Sequence, residues 1–244
     1  MNIIFFTILG TCLGSFIPCY AERRQINASH FDRSRCMTCN NNIPYIYLIP
    51  ILGYFLSRKR CVYCHTPIPK YFPVLEALGG ASGFFISYFS SSFYHSCIQL
   101  LIISTLLLLS LDDYNTHWIH DEDLIFLAFI EVTDILLVSS SPWIDHIIGA
   151  FIISVPLLAI YYIRPNTLGS GDIIYMMING FYMGFVNISY SFLAGVLIAL
   201  CFSIKLIIQN KATYKTSIPL IPFLSTGIYL IMLLSLLFPK TLSV

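Results

Sequence analysis

Charge is what this 244-residue chain has least of: Asp, Glu, Lys and Arg together make up 10% of it, against 57% hydrophobic residues. A water-soluble domain of this size needs a far more polar surface, so a soluble enzyme is excluded. With a net charge of +1 and no sustained basic run, there is no nucleic-acid-binding face either. A phosphate-binding glycine loop and a Ser-His-Asp spacing are both missing, which removes P-loop and serine-triad chemistry. Basic residues are also missing ahead of the first apolar run, where only Met1-Asn2 stands. A cleaved signal peptide carries its charges there, so none is expected.

What the chain has instead is apolar runs of membrane-spanning length: Ile3–Tyr20, Phe72–Phe93, Cys97–Leu111, Leu124–Val138, Trp143–Ile163, Ile173–Val186, Ile188–Ile208 and Ile218–Phe238. These predict an all-α polytopic membrane protein with about eight transmembrane helices. The fourth and sixth runs are short for a crossing. Lys and Arg test the topology separately, because cytoplasmic loops carry their excess. Eight of the thirteen (Arg23, Arg24, Arg33, Arg35, Arg58, Lys59, Arg60, Lys70) fall between the first two runs. An outside N-terminus and eight crossings also put Arg164, Lys205, Lys211 and Lys215 in the cytoplasm and leave only Lys240 outside. Both termini are then external, in the cytoplasmic (inner) membrane of the cell.

Three segments are expected: a first membrane helix over 1–20, a cytoplasmic module over 21–71 and a membrane core over 72–244. The module holds Cys36-Met37-Thr38-Cys39 and Cys61-Val62-Tyr63-Cys64. Two C-x2-C knuckles can give four thiolates to one tetrahedral zinc, which would cross-link a segment too small for a core of its own. Paired disulfides are the alternative, and a reducing cytosol disfavours them. His65, beside the second knuckle, is a competing ligand, although four cysteines already complete the tetrahedron. Cys12, Cys19, Cys97 and Cys201 have no paired spacing and read as small buried hydrophobes. His30, His95 and His146 form no constellation. The apolar stretch Ile46–Leu56 between the knuckles is expected to lie toward the membrane.

Acids are few, so their placement carries information. Five of the twelve lie in Asp112–Asp123: Asp112, Asp113, Asp121, Glu122 and Asp123. Another stands in Leu168-Gly169-Ser170-Gly171-Asp172, a glycine-broken turn ahead of an apolar helix predicted from Ile173. By the topology above both stretches are cytoplasmic and abut membrane helices, where ionisable groups are costly. Asp172 could be an ordinary helix cap, and Asp121, Glu122 and Asp123 a solvated acidic loop at a helix N-terminus. Asp112 and Asp113 oppose the dipole of the helix they end, which calls for another role. Glu131, Asp134 and Asp145 are placed on the outer side as structural residues; Glu76, near the cytoplasmic face, also reads as structural and could pair with a basic side chain. Read without further help, Asp113 and Asp172 fit a hydrolytic carboxylate pair, a proton or cation relay in a transporter, or a scaffold in which neither acid matters.

Taken together, Gly14-Ser15-Phe16, the two knuckles, Leu48-Ile49-Pro50, Tyr71–Glu76, the Asp113–Asp121 stretch and Gly169–Asp172 resemble the type IV prepilin leader peptidases, within the GxGD group of intramembrane aspartic proteases. The resemblance spans most of the chain. It implies Asp172 as one catalytic acid, and counting back eight residues from Asp121 selects Asp113 rather than Asp112 as the other. Gly169, Gly171, Asp112 and Asp121 support them. His120, Asn115 and Ile174 depart from the family's usual proline, acid and lysine. The resemblance further implies prepilin or pseudopilin substrates with a short basic leader, a cut at the cytoplasmic membrane face, and N-methylation of the mature terminus with S-adenosylmethionine as donor. No donor site is readable in the sequence. Membrane lipid is an expected partner and nucleic acid is not.

Overall fold

A computed structural model describes residues 2–26, 33–90, 92–138, 141–164, 168–210 and 218–237. His30, Thr167, Lys211, Lys215, Lys240 and Phe238, at the end of the last apolar run, lie outside them. Among the described residues there are eight α-helices and one short 3-10 turn, with no β-strand: α1 (Ile3–Gln25), the 3-10 turn Tyr45–Leu48, α2 (Leu52–Leu56), α3 (Tyr71–Phe89), α4 (Phe93–Thr116), α5 (Asp121–Val138), α6 (Trp143–Ile163), α7 (Ser170–Ile208) and α8 (Ile221–Leu237). Five of them, α1, α3, α4, α6 and α7, are long and apolar enough to cross a membrane. Large apolar side chains stay exposed along their outer faces, for example Phe151 at 52% and Ile163 at 77%. Such a surface is stable against lipid and not against water. The chain is an all-α membrane protein.

Packing divides the chain into two units, Met1–Ser96 and Cys97–Val244. In the first, α1 lies along α3 so closely that Gly10 meets the backbone of Gly79, Gly14 that of Leu75 and Gly83 that of Phe6. Small residues spaced by four on both helices permit this approach, the usual way for membrane helices to gain van der Waals contact without a hydrophobic driving force. Between α1 and α3 the cysteine module folds as two copies of one turn. The Cys36 amide donates to Asn41 O and Asn40 N to Cys36 O; twenty-five residues on, Cys61 N donates to Thr66 O and His65 N to Cys61 O. Asn40 and His65 hold the same left-handed position, each with φ 59°. His65 therefore serves the turn. The apolar stretch between the knuckles keeps Tyr45, Ile46, Leu52, Phe55 and Leu56 exposed, a surface suited to a membrane interface.

Glu76 departs from expectation. Its carboxylate accepts the Ser15 hydroxyl at 2.7 Å and the Ile51 amide at 2.6 Å, with no basic side chain among these partners. Ile51 has φ 64°, an unfavourable conformation for a β-branched residue, and Glu76 ties its amide to α3.

In the second unit α7 packs against α5, α6 and α8. Its 39 residues would run about 58 Å if straight, near twice the hydrocarbon thickness of a bilayer. It breaks at Gly184, with φ 74°, where the Phe185 amide donates to the Asp145 carboxylate at 3.2 Å. Asp145 thus caps the second half of α7 from α6. The sixth and seventh apolar runs are thus two helices that meet at Gly184, ahead of the boundary read from hydropathy; Tyr175 of the first and Gly195 of the second reach neighbouring residues of α8, Ser225 and Leu224. Two further limits shift: α4 continues past Leu111 to Thr116, and α7 begins at Ser170 instead of Ile173. Asp112 and Asp113 are therefore helical, as is Gly171.

Candidate active site and metal centre

Asp113 is in the last turns of α4 and 6% exposed. Its Oδ2 accepts the backbone N–H of Ile221 at 3.0 Å, the first residue of α8. Pro222 has no N–H, and the Phe223 and Leu224 amides bond to Leu220 O, so the Ile221 amide is a helix-end donor in need of an acceptor. Asp113 supplies one from 108 residues away. His117, at φ 53°, donates its backbone N–H to Asp113 O at 3.0 Å and so turns the chain out of α4.

Asp172 is the third residue of α7 and its Oδ2 accepts the Gly169 amide at 3.3 Å, an N-terminal cap. Asp113 is among the charges acting on it, so the two carboxyl groups are electrostatic neighbours. Gly171 packs on the α4–α5 connection, where a Cβ would sit 2.7 Å from Ile119 Cδ1. Gly171 is thus a contact that lets the start of α7 approach the end of α4, and does not form a turn as its composition predicts. Each acid now has a helix-terminal amide. Asp113, at the C-terminal end of α4, also faces the N-terminal end of α8.

The other acids of Asp112–Asp123 divide. Asp112 is 2% and Asp123 8% exposed, so neither belongs to a solvated acidic surface, whereas Asp121 and Glu122 at the start of α5 are exposed. Sequence reasoning missed Ile221 and the buried Tyr175–Ser225 contact at 2.7 Å. Pro219 and Pro222 marked a helix start near Ile221, but nothing local named its acceptor.

In the N-terminal unit the sulfurs of Cys36, Cys39, Cys61 and Cys64 all lie within 4.8 Å of one another. Cys36 Sγ is 3.7 Å from Cys64 Sγ and Cys39 Sγ 3.9 Å from Cys61 Sγ. A zinc–sulfur bond of about 2.3 Å implies tetrahedral edges of about 3.8 Å, so the four thiols fit zinc. They are not disulfides. The Thr66 hydroxyl, 3.2 Å from Cys64 Sγ, and then the Thr66 amide hold that thiol down to about 6, which favours the thiolate that binds metal.

Residues 8–101 match the family described as Bacterial Peptidase A24 N-terminal domain, and residues 100–204 match the Type IV leader peptidase family. A Bacillus subtilis (strain 168) protein named prepilin leader peptidase/N-methyltransferase is 24% identical over 236 residues, covering 93% of this chain and 91% of the relative. One of that name from Vibrio cholerae is 29% identical over 81% of this chain and 83% of its own. A third, from Myxococcus xanthus (strain DK1622), is 32% identical over 48% of this chain, which spans 35% of that relative. No solved structure matches. The two family matches abut and cover both the cysteine module and the start of α7, and the chain belongs to the type IV prepilin leader peptidase family.

Proposed function

We propose that this chain removes the short basic leader from type IV prepilins or pseudopilins by two-aspartate hydrolysis at the cytoplasmic face of the inner membrane. The observation that carries the reading is that Asp113 lies within electrostatic range of Asp172, each at the end of a helix and each tied to a backbone amide. Two close carboxyl groups share one proton. The ionised member takes a proton from water as the water oxygen attacks the scissile carbonyl, and the protonated member gives its proton to the carbonyl oxygen. Collapse of the tetrahedral intermediate breaks the C–N bond as the amine nitrogen takes a proton. No acyl-enzyme forms. The exposed Asp121 and Glu122 attract the basic leader.

Zinc held by Cys36, Cys39, Cys61 and Cys64 would be a structural cross-link. S-adenosylmethionine is the second group we assign, to a cavity of about 340 Å³ in the N-terminal unit walled by Cys19, Glu22, Tyr47, Tyr54, Phe72 and Glu76. Bound there it would supply a methyl group to the newly exposed N-terminal amine. Aromatic walls suit its adenine; the Glu22 and Glu76 carboxylates suit its sulfonium charge, and Arg23, Arg35 and Arg60 in the same lining suit its carboxylate. The test of the main reading is to incubate the purified protein with a prepilin-like peptide and locate the cut by mass spectrometry. Cleavage between the basic leader and the hydrophobic helix supports it, and no cleavage by well-folded protein rejects it.

A further inference from the structure

One turn apart on α5, Glu131 is 1% and Asp134 3% exposed. Glu131 is ten residues into α5, about 15 Å along the helix from the acids at its start. Both oxygens of its carboxylate lack a hydrogen-bond partner among the described residues. Asp134 Oδ2 accepts the Tyr182 hydroxyl at 2.8 Å, and the side chain of Gln99 on α4 bonds to the same tyrosine. Gln99 is 8% exposed with Oε1 unpartnered. On the face of α7 that carries Tyr182 and Tyr175, Asn179 is fully buried; its Nδ2 donates to Tyr175 O at 2.9 Å, and its Oδ1 is unpartnered. Glu131 is an electrostatic neighbour of Asp134, Tyr175 and Tyr182.

The four atoms of this group, Glu131 Oε1 and Oε2, Gln99 Oε1 and Asn179 Oδ1, are all acceptors. A buried acceptor without a donor is destabilising, and a buried carboxylate without a counter-charge much more so. The one lysine or arginine on the described helices of this unit is Lys205, in the last turn of α7 and far along the chain from the Tyr182 face, so no basic side chain on α4, α5 or α6 meets the pair. One proton on Glu131 would provide a single donor and leave the amide oxygens as they are. Carboxylate and amide oxygens without nitrogen or sulfur are the donor set of hard cations.

We propose that Glu131, Asp134, Gln99 and Asn179 form a binding site for a hard metal cation between α4, α5 and α7, separate from the Asp113–Asp172 pair and from the four cysteines. The ion ties three helices of the C-terminal unit together. The site does not depend on what the protein cleaves.

The experiment uses the full-length protein in detergent with its cysteine-bound metal retained. It is exchanged into a choline buffer and titrated separately with Na⁺, K⁺, Mg²⁺ and Ca²⁺. Thermal unfolding is followed, and binding of ²²Na⁺ or ⁴⁵Ca²⁺ is measured by equilibrium dialysis. One of these cations raises the melting temperature saturably and binds at about one ion per chain. Which one does so separates a monovalent from a divalent site. In Glu131→Gln, close in shape, half-saturation moves up at least tenfold while the zinc content stays the same. A parent that binds none of the four at millimolar concentration, or equal binding in parent and Glu131→Gln, overturns the site. So does a cation-insensitive parent whose Glu131→Gln variant melts at the same temperature or higher, which would mean that the acid is held by a proton. The tracer measurement on the parent decides the matter even if the variant does not fold.

Discussion

Asp113 accepts the amide of Ile221 at 3.0 Å across 108 residues of chain, so the end of α4 and the start of α8 are held by one of the two acids proposed to cut peptide. Changing Asp113 therefore has a structural as well as a chemical effect. Asp113→Asn keeps an acceptor oxygen for Ile221 while removing the acid; Asp113→Ala removes both. The Asn variant retains the parent melting temperature and the Ala variant loses about 1–3 kcal/mol, the cost of an unsatisfied buried donor, while both lose cleavage. Thermal unfolding beside peptide cleavage checks this.

Gly171 lies where a Cβ would stand 2.7 Å from Ile119 Cδ1. Gly171→Ala needs only the far end of a flexible side chain to move, and keeps most activity. Gly171→Leu overpacks the contact at about 1–3 kcal/mol and pushes α7 away from α4. Adding Ile119→Ala restores part of the cleavage rate lost in Gly171→Leu. A double-mutant cycle on kcat/KM measures the coupling.

Asp121 and Glu122 are exposed and Asp112 and Asp123 are buried. Neutralising the exposed pair, Asp121→Asn with Glu122→Gln, raises KM for a substrate with a basic leader about three- to tenfold at low salt and leaves kcat unchanged. The difference fades as ionic strength rises. Steady-state kinetics at two salt concentrations reads it.

Elemental analysis of the purified protein is expected to find one zinc ion per chain, held by the four sulfurs that lie within 4.8 Å of one another. Thr66 lowers the pKa of the Cys64 thiol, and protons compete with the metal for all four thiolates, so metal retention drops as pH falls. Thr66→Ala removes the hydroxyl donor and moves the release toward higher pH.

At Gly184, with φ 74°, a side chain costs about 1–2 kcal/mol from backbone conformation alone, and a Cβ would also collide with the Asp145 carboxylate. Gly184→Ala lowers the melting temperature more than Asp145→Asn, which keeps an oxygen for the Phe185 amide.

How much of this was readable depended on how local each feature is. The knuckles were legible because C-x2-C is a four-residue signal with one geometric use, and the paired turns around Asn40 and His65 follow from it. Asp112 and Asp113 were read as ending their helix because charge lowers hydropathy, yet hydrogen bonding carries α4 on to Thr116. Hydropathy likewise cannot sense a backbone angle, so α7 was divided near Asn187 instead of at Gly184. Composition makes glycine a turn residue, whereas Gly171 is helical and valuable for the side chain it lacks. The Ile221 donor and the orphan oxygens around Glu131 depend on packing between distant segments, for which one sequence holds no signal.

The most direct test is cleavage of a prepilin-like peptide by Asp113→Asn and Asp172→Asn, each shown to keep the parent's zinc content and melting transition. Loss of at least about 10²–10⁴-fold in kcat in both variants, with the peptide still bound, is the expected result. Turnover within tenfold of the parent by either variant would contradict the paired-acid mechanism.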